Sequence, residues 1–252
     1  MTTTALHPTP PAAASIGRLT GVELRKLIDT RPLIVALVAA CLAAGATGGG
    51  SILSSGPAGF GDVTRMALLF VPYFLVGIGA ALVTSENTHR TALTTFAIVP
   101  RRGRVLLAKA AAMGVLGVVA AVLALAAGTL ICSVAPLLGL GPVSWEIDWS
   151  AFAVLTAGLV VSALVGWALG MATGSTAITL AVFLVFPMVA TAVGSFAPAA
   201  AQVLGWLRPD TVYDLAGRID AAVIGRTATG LLLWLVTPAV IGWMRLTRGE
   251  VR

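Results

Sequence analysis

The sequence predicts an all-α polytopic membrane protein with six crossings, an amphipathic interfacial helix ahead of the first, and both termini cytoplasmic. Three observations lead there. First, 58% of the residues are hydrophobic and only 10% are charged. A globular domain carries about 25% charged residues, so no soluble fold of 252 residues covers that much apolar surface. Second, the apolar residues come in continuous runs rather than alternating every second position, which selects helices over a barrel. Third, Lys and Arg gather in short clusters between the runs, the distribution that membrane topology produces. The same clustering sets aside nucleic-acid binding as the meaning of the net charge of +6.

The first fifteen residues, "MTTTALHPTPPAAAS", are rich in Pro and Thr and are expected to be disordered. They lack a cationic start followed by an apolar stretch, so they do not read as a cleavable signal peptide. Residues 16–252 are expected to form one transmembrane domain. Ile16 to Arg31 reads as the interfacial helix: Leu24, Leu27 and Ile28 share a face with Thr20 and Arg31, while Glu23, Arg25, Lys26 and Asp29 fall mostly on the other. A Glu23–Lys26 pair, one turn apart, is expected to be weak. The helix is either a lever that clasps a partner or a membrane anchor.

About 20 apolar residues cross about 30 Å of hydrocarbon. On that measure the spans are expected near Leu33–Leu53, Met66–Val83, Val105–Val134, Ser150–Met171, Ala177–Phe196 and Thr227–Met244. The fourth and fifth come from one charge-free stretch, Trp149–Leu207, that is too long for one crossing and breaks at "GMATGST", Gly170–Thr176. With the N-terminus inside, twelve of the sixteen Lys and Arg fall on the cytoplasmic side, leaving Arg65, Arg208, Arg218 and Arg226 outside. That bias orients the chain. Trp145, Trp149 and Trp206 then lie at the outer interface and Trp243 at the inner one. Trp167 and Trp234 sit deeper and read as packing residues.

Gly166, Gly170 and Gly174 recur every fourth residue and allow close helix approach, either inside the bundle or at a dimer seam. Gly45 and Gly49 share that spacing. Pro72 and Pro187 are expected to kink their spans. Between Ala197 and Arg226, "PAAAQVLGWL" is apolar enough to dip back into the membrane, and Arg208–Arg226 carries three acids and three arginines. The region is a re-entrant hairpin or a surface helix. Cys41 and Cys132 sit alone in apolar runs with no histidine nearby, so no metal site is expected.

The central parts of all six spans lack Asp, Glu, Lys, Arg and His, which counts against a proton-driven carrier. No His-Glu-x-x-His, Gly-x-Ser-x-Gly or phosphate-binding Gly-x-x-x-x-Gly-Lys-Ser/Thr is present. The chain is therefore not expected to be an enzyme or to hold a cofactor itself.

The stretch between the second and third spans, Thr84–Lys109, is polar and basic. Thr84 or Ser85 can cap a helix start, with Glu86, Asn87 and Thr88 in its first turn. Arg90 follows, and Leu93 and Phe96 stand at helical spacing. Pro100 ends the segment. Arg101, Arg102 and Arg104 lead into the third span, with Lys109 expected to snorkel to the interface. A loop that merely fixes orientation accounts for the basic cluster but leaves the amphipathic segment unexplained.

The order Glu86, "RTALTTFAIVP" (Arg90–Pro100), Arg101, Arg104 and Lys109 resembles the loop between the second and third spans of type-2 ABC exporter permeases. "RLTGVELRKLIDTRPLIV" (Arg18–Val35) resembles the amphipathic helix that leads into the first span of that family. The resemblance implies a permease dimer, homomeric or with a similar chain, in the cell membrane. It also implies two cytoplasmic ABC ATPase subunits that bind ATP and Mg. It makes Glu86, Thr88, Arg90, Leu93 and Phe96 the coupling segment and Arg101, Arg102 and Arg104 its support, with Glu23, Arg25, Lys26 and Arg31 on the interfacial helix. A path lined by Phe70, Tyr73, Phe183 and Phe186 is expected to suit an amphipathic or hydrophobic cargo. The alternative is an ion-coupled carrier or multi-span scaffold with no ATPase.

Overall fold

In a computed structural model, residues 15–29, 31–55, 59–88, 102–217 and 219–248 are described. They form helices α1 (Ile16–Asp29), α2 (Arg31–Ser55), α3 (Phe60–Ala67), α4 (Val71–Thr88), α5 (Arg102–Val134), α6 (Trp149–Thr173), α7 (Thr176–Phe196), α8 (Pro198–Trp206), α9 (Ala221–Leu231) and α10 (Thr237–Arg248). A 3₁₀ turn covers Thr211–Ala216, and a π turn, Leu232–Val236, joins α9 to α10. No strand occurs among the described residues. Among the described residues, six stretches are long and apolar enough to cross a bilayer: Ile34–Leu53, Phe60–Ser85, Gly103–Leu138, Trp149–Thr173, Thr176–Phe196 and Ala221–Arg245. The fold is that of a multi-pass α-helical membrane protein.

The ends of these helices follow from side chains that cap them. Asp148 accepts from the Ser150 and Ala151 amides and starts α6. The Ser150 hydroxyl also donates to that carboxylate and holds its pKa below the usual range. Gly174, at φ 71°, stops α6 in the left-handed conformation open to glycine. The Ser175 hydroxyl then caps α7 through the Ile178 amide. The break thus falls inside the "GMATGST" stretch. Asp220 accepts from the Val223 amide and starts the last span six residues before the expected Thr227.

The second span differs most from expectation. It begins at Phe60 rather than Met66, and it is two helices, with a break at Leu68–Phe70. Pro72 has no N–H to give the Leu68 carbonyl, so the ladder loses a bond where the break falls. At the second position of α4 the missing donor is harmless. Pro72 therefore breaks the span instead of bending it, whereas Pro187 lies within an unbroken α7.

The bundle closes most tightly between α4 and α6. A Cβ added at Gly166 would stand 2.2 Å from the Val76 carbonyl oxygen, and one at Gly79 would stand 2.4 Å from that of Ala163. Gly170 faces Ala80 in the same seam. Gly174 stays out of it and serves only as the stop of α6. Leu75, Ile78, Leu82, Leu106, Met113, Leu159 and Trp167 build the core around this contact. The spans of α2 and α7 are the least buried, with Leu42, Val185 and Met188 outward.

Two ends can be told apart. At the α1 end lie α1, the C-terminus of α4, the start of α5 and the start of α7. At the other, the hairpin end, the chain from α8 to Asp220 folds back between the spans. The Leu207 carbonyl accepts from the Trp234 indole at 2.7 Å. The Tyr213 hydroxyl lies 3.1 Å from that of Ser162, with its ring against Gly158. Ser162 and Trp234 stand midway along their spans. Residues 207–213 thus reach half the depth of the bundle, as a re-entrant hairpin does and a surface helix does not.

Candidate functional site

The α1 end holds an ion cluster inside the protein. Glu23 on α1 accepts from Lys109 on α5 at 2.8 Å and from Lys26, one turn on, at 2.7 Å. Lys109 also donates to the Leu82 carbonyl of α4 at 3.1 Å. The side chains of Lys109 and Glu23 are 2% and 5% exposed. Lys109 therefore turns inward, and the expected snorkelling is corrected: an ion pair with a carbonyl to share outcompetes the interface. Glu23 is likewise corrected from the polar face of α1 to the buried one, beside Leu27. The pair fastens α1 to the second and third spans at one point.

Other contacts gather the remaining helices at this end. Thr84 donates to the Ala80 carbonyl or exchanges a hydrogen bond with the Thr176 hydroxyl at 2.6 Å, joining α4 to α7. Gly103 lies against the Trp243 ring, joining α5 to α10. Arg245 donates to the Ala172 carbonyl at the negative end of α6.

Four of the expected coupling residues, Glu86, Thr88, Arg102 and Arg104, belong to the helices that meet here. Glu86 and Thr88 form the last turn of α4, and Arg102 opens α5; their side chains lie outside the described residues, as does that of Arg31 at the start of α2. Arg90, Leu93, Phe96 and Arg101 lie outside the described residues altogether. Arg104 is half-buried on α5, and Arg25 is exposed on α1.

A second constellation runs through the bundle from the break in the second span. Phe70 contacts Tyr73, Tyr73 meets Phe183 edge-on with centroids 5.9 Å apart, and Phe183 and Phe186 both meet Trp234. The four aromatic residues expected along the path are thus one chain of rings, with Trp234, read as a packing residue from its depth in the span, as an additional member. Beside it lies a cavity of about 240 Å³ bounded by Tyr73, Phe183, Pro187 and the re-entrant residues Asp210 and Tyr213, with Arg65 at its rim. Arg208 holds both oxygens of Asp210, through Nε at 2.9 Å and a terminal nitrogen at 2.6 Å.

The spans themselves lack mid-depth charge, as the sequence says, but the hairpin carries an ion pair to that depth. Sequence reasoning missed it because the charges sit in a loop. The available signal was "PAAAQVLGWL" immediately ahead of Arg208 and Asp210: an apolar stretch that dips takes its neighbours along. For the Glu23–Lys109 pair the signal was Glu23 itself, one turn before Leu27 on the edge of the apolar face.

No model of a known protein family matches this chain, and no curated protein matches it either.

Proposed function

We propose that the chain is the membrane-spanning permease subunit of an ATP-driven exporter. It forms the path as a dimer, with a second copy or a homologous permease, and is powered by two separate cytoplasmic ABC ATPase subunits that hold ATP and Mg. The observation that carries this reading is the buried Glu23–Lys109 pair with its Leu82 carbonyl. It joins α1 to the two helices on either side of residues 89–101. A push on that segment or on α1 reaches the same rigid point, and from there the α4–α6 seam. Coupling of this kind needs discrete, packed elements that move as units. In this reading Glu86–Ile98 receives the stroke, the α1 end is cytoplasmic, and the aromatic chain lines the path.

The test is capture and transport together. Gently solubilised protein is expected to bring down a phosphate-loop ATPase, and Glu86→Ala or Arg101→Ala is expected to abolish transport. Capture of no such ATPase, with transport intact in both variants, overturns the reading. An ion-coupled carrier is the second reading, favoured by Arg208 and Asp210 at mid-depth. It predicts transport by the chain alone in proteoliposomes, driven by an ion gradient and indifferent to ATP.

A further inference from the structure

The mid-depth cavity has a chemical preference that can be read from its walls. Asp210 is spoken for: both its oxygens are held by Arg208. Arg65 is not held in the same way. Its nearest acid is Asp62 at 3.6 Å, beyond hydrogen-bonding distance, and both side chains are well exposed. Of the two charges that line this cavity, Arg65 is the one with donors open to a new partner, while its far side borders Asp62, Glu146 and Asp148. Below Arg65 the wall is apolar, formed by Leu68, Leu69, Leu155 and Phe183. A span interrupted at this depth is where a transport protein places a ligand, because irregular backbone is tolerated only where it lines a cavity or is buried in protein.

We infer that this cavity takes an amphipathic anion, with its carboxylate, sulfate or phosphate head at Arg65 and a short apolar tail reaching Tyr73 and Phe183. The volume of about 240 Å³ suits a short tail rather than a full acyl chain. The inference deepens the permease reading by naming the class of its cargo, but binding is a property of the chain alone and is tested without an ATPase.

The probe is tritiated octanoate at pH 8, titrated onto the full chain in nanodiscs, with empty nanodiscs subtracted. Saturable binding is expected, displaced by octyl sulfate and far less by octylamine or octanol. Arg65→Gln is expected to weaken it about tenfold or more, the loss that follows removal of a charged hydrogen-bond partner. Arg65→Lys retains most of it, and Asp62→Asn tightens it by removing the competing acid. Tail contact is read by Phe183→Ala, which weakens octanoate more than it weakens acetate. Equal displacement by octylamine, or affinity unmoved by both Arg65→Gln and Asp62→Asn, overturns the inference. Nanodiscs of anionic lipid distinguish the source: a bilayer lipid as occupant competes and lowers octanoate affinity relative to neutral lipid, and a free amphiphile leaves it unchanged. Failure of octanoate binding with an ATPase captured removes only the cargo class. Octanoate binding with no ATPase captured removes only the energy source.

Discussion

The two ends of the bundle each carry an acid–base pair, and the pairs are built for different work. Glu23 and Lys109 are 86 residues apart in sequence, almost fully buried, and tied to a third helix through the Leu82 carbonyl. Arg208 and Asp210 are two residues apart, and each is 39% exposed beside a cavity. The first pair adds a directional contact to helices that also pack through apolar side chains, and apolar contact in a lipid environment discriminates poorly between one packing and another. The second joins nothing distant. It neutralises a carboxylate that a folded-back loop has carried to mid-depth. Burial and sequence separation therefore distinguish a fastening from a tuned wall, although both are ion pairs of similar length, the first through one carboxylate oxygen and the second through two.

The largest effect is expected at the fastening. Lys109→Met leaves one Glu23 oxygen with Lys26 and the other buried without its cation. Breaking a buried pair by removing one partner costs about 3–5 kcal/mol, and Lys26 holds the loss near the lower figure. Thermal unfolding in nanodiscs measures it. The double variant Glu23→Leu/Lys109→Met is expected to recover most of the stability, since an apolar pair of similar volume replaces the ions. Recovery of stability without recovery of transport would show that the charges fix where α1 sits rather than how firmly. If the single variant melts like the wild type, the contrast between the two ends fails.

How far the sequence discloses this arrangement depends on the kind of signal. All six spans are legible, because apolar length is a property of composition. The stop between the fourth and fifth is legible because Gly174 and Ser175 carry their own mechanism, a left-handed residue and a cap. The start of the last span at Ala221 is less so, since Asp220 looks like a loop acid until its carboxylate meets the Val223 amide. The split second span hides in a run that is apolar throughout, where Pro72 announces a disturbance but not whether it bends or breaks the helix. Contacts between distant residues are the least legible. A lysine near the start of a span has two outlets, the interface or a buried acid, and only the placement of α1 decides that Lys109 takes Glu23. Likewise, nothing local to Trp234 reveals that its indole holds a carbonyl 27 residues earlier.

That indole supports the other side of the comparison and gives the intermediate effect. Trp234→Phe removes the donor to the Leu207 carbonyl while keeping a ring for Phe183 and Phe186 to meet. An acceptor left bare inside the protein costs about 1–3 kcal/mol. The loss is expected to be local: hydrogen exchange should quicken across residues 207–217, with α1 and the start of α5 unchanged. Faster exchange at both ends would mean that the hairpin and the ion-pair junction open together, and the division into a fastening and a wall would have to be redrawn.

The smallest effect on stability is expected at Arg208. Arg208→Gln dissolves a pair that is half open to the cavity, and exposed pairs are worth roughly 1 kcal/mol or less, so the melting temperature should barely move. Its consequence lies elsewhere. With Arg208 neutral, Asp210 presents its own charge to the cavity, and octanoate, drawn by Arg65, should bind more weakly while the chain stays folded. The two substitutions thus separate the roles by opposite patterns: Lys109→Met lowers stability and leaves the cavity wall as it was, and Arg208→Gln spares stability and changes the charge that a ligand meets. If Arg208→Gln instead unfolds the chain as readily as Lys109→Met, the hairpin pair is a second fastening. The exposure of its side chains would then be a poor guide to its work, because the re-entrant backbone, and not the cavity, would be what the guanidinium holds in place.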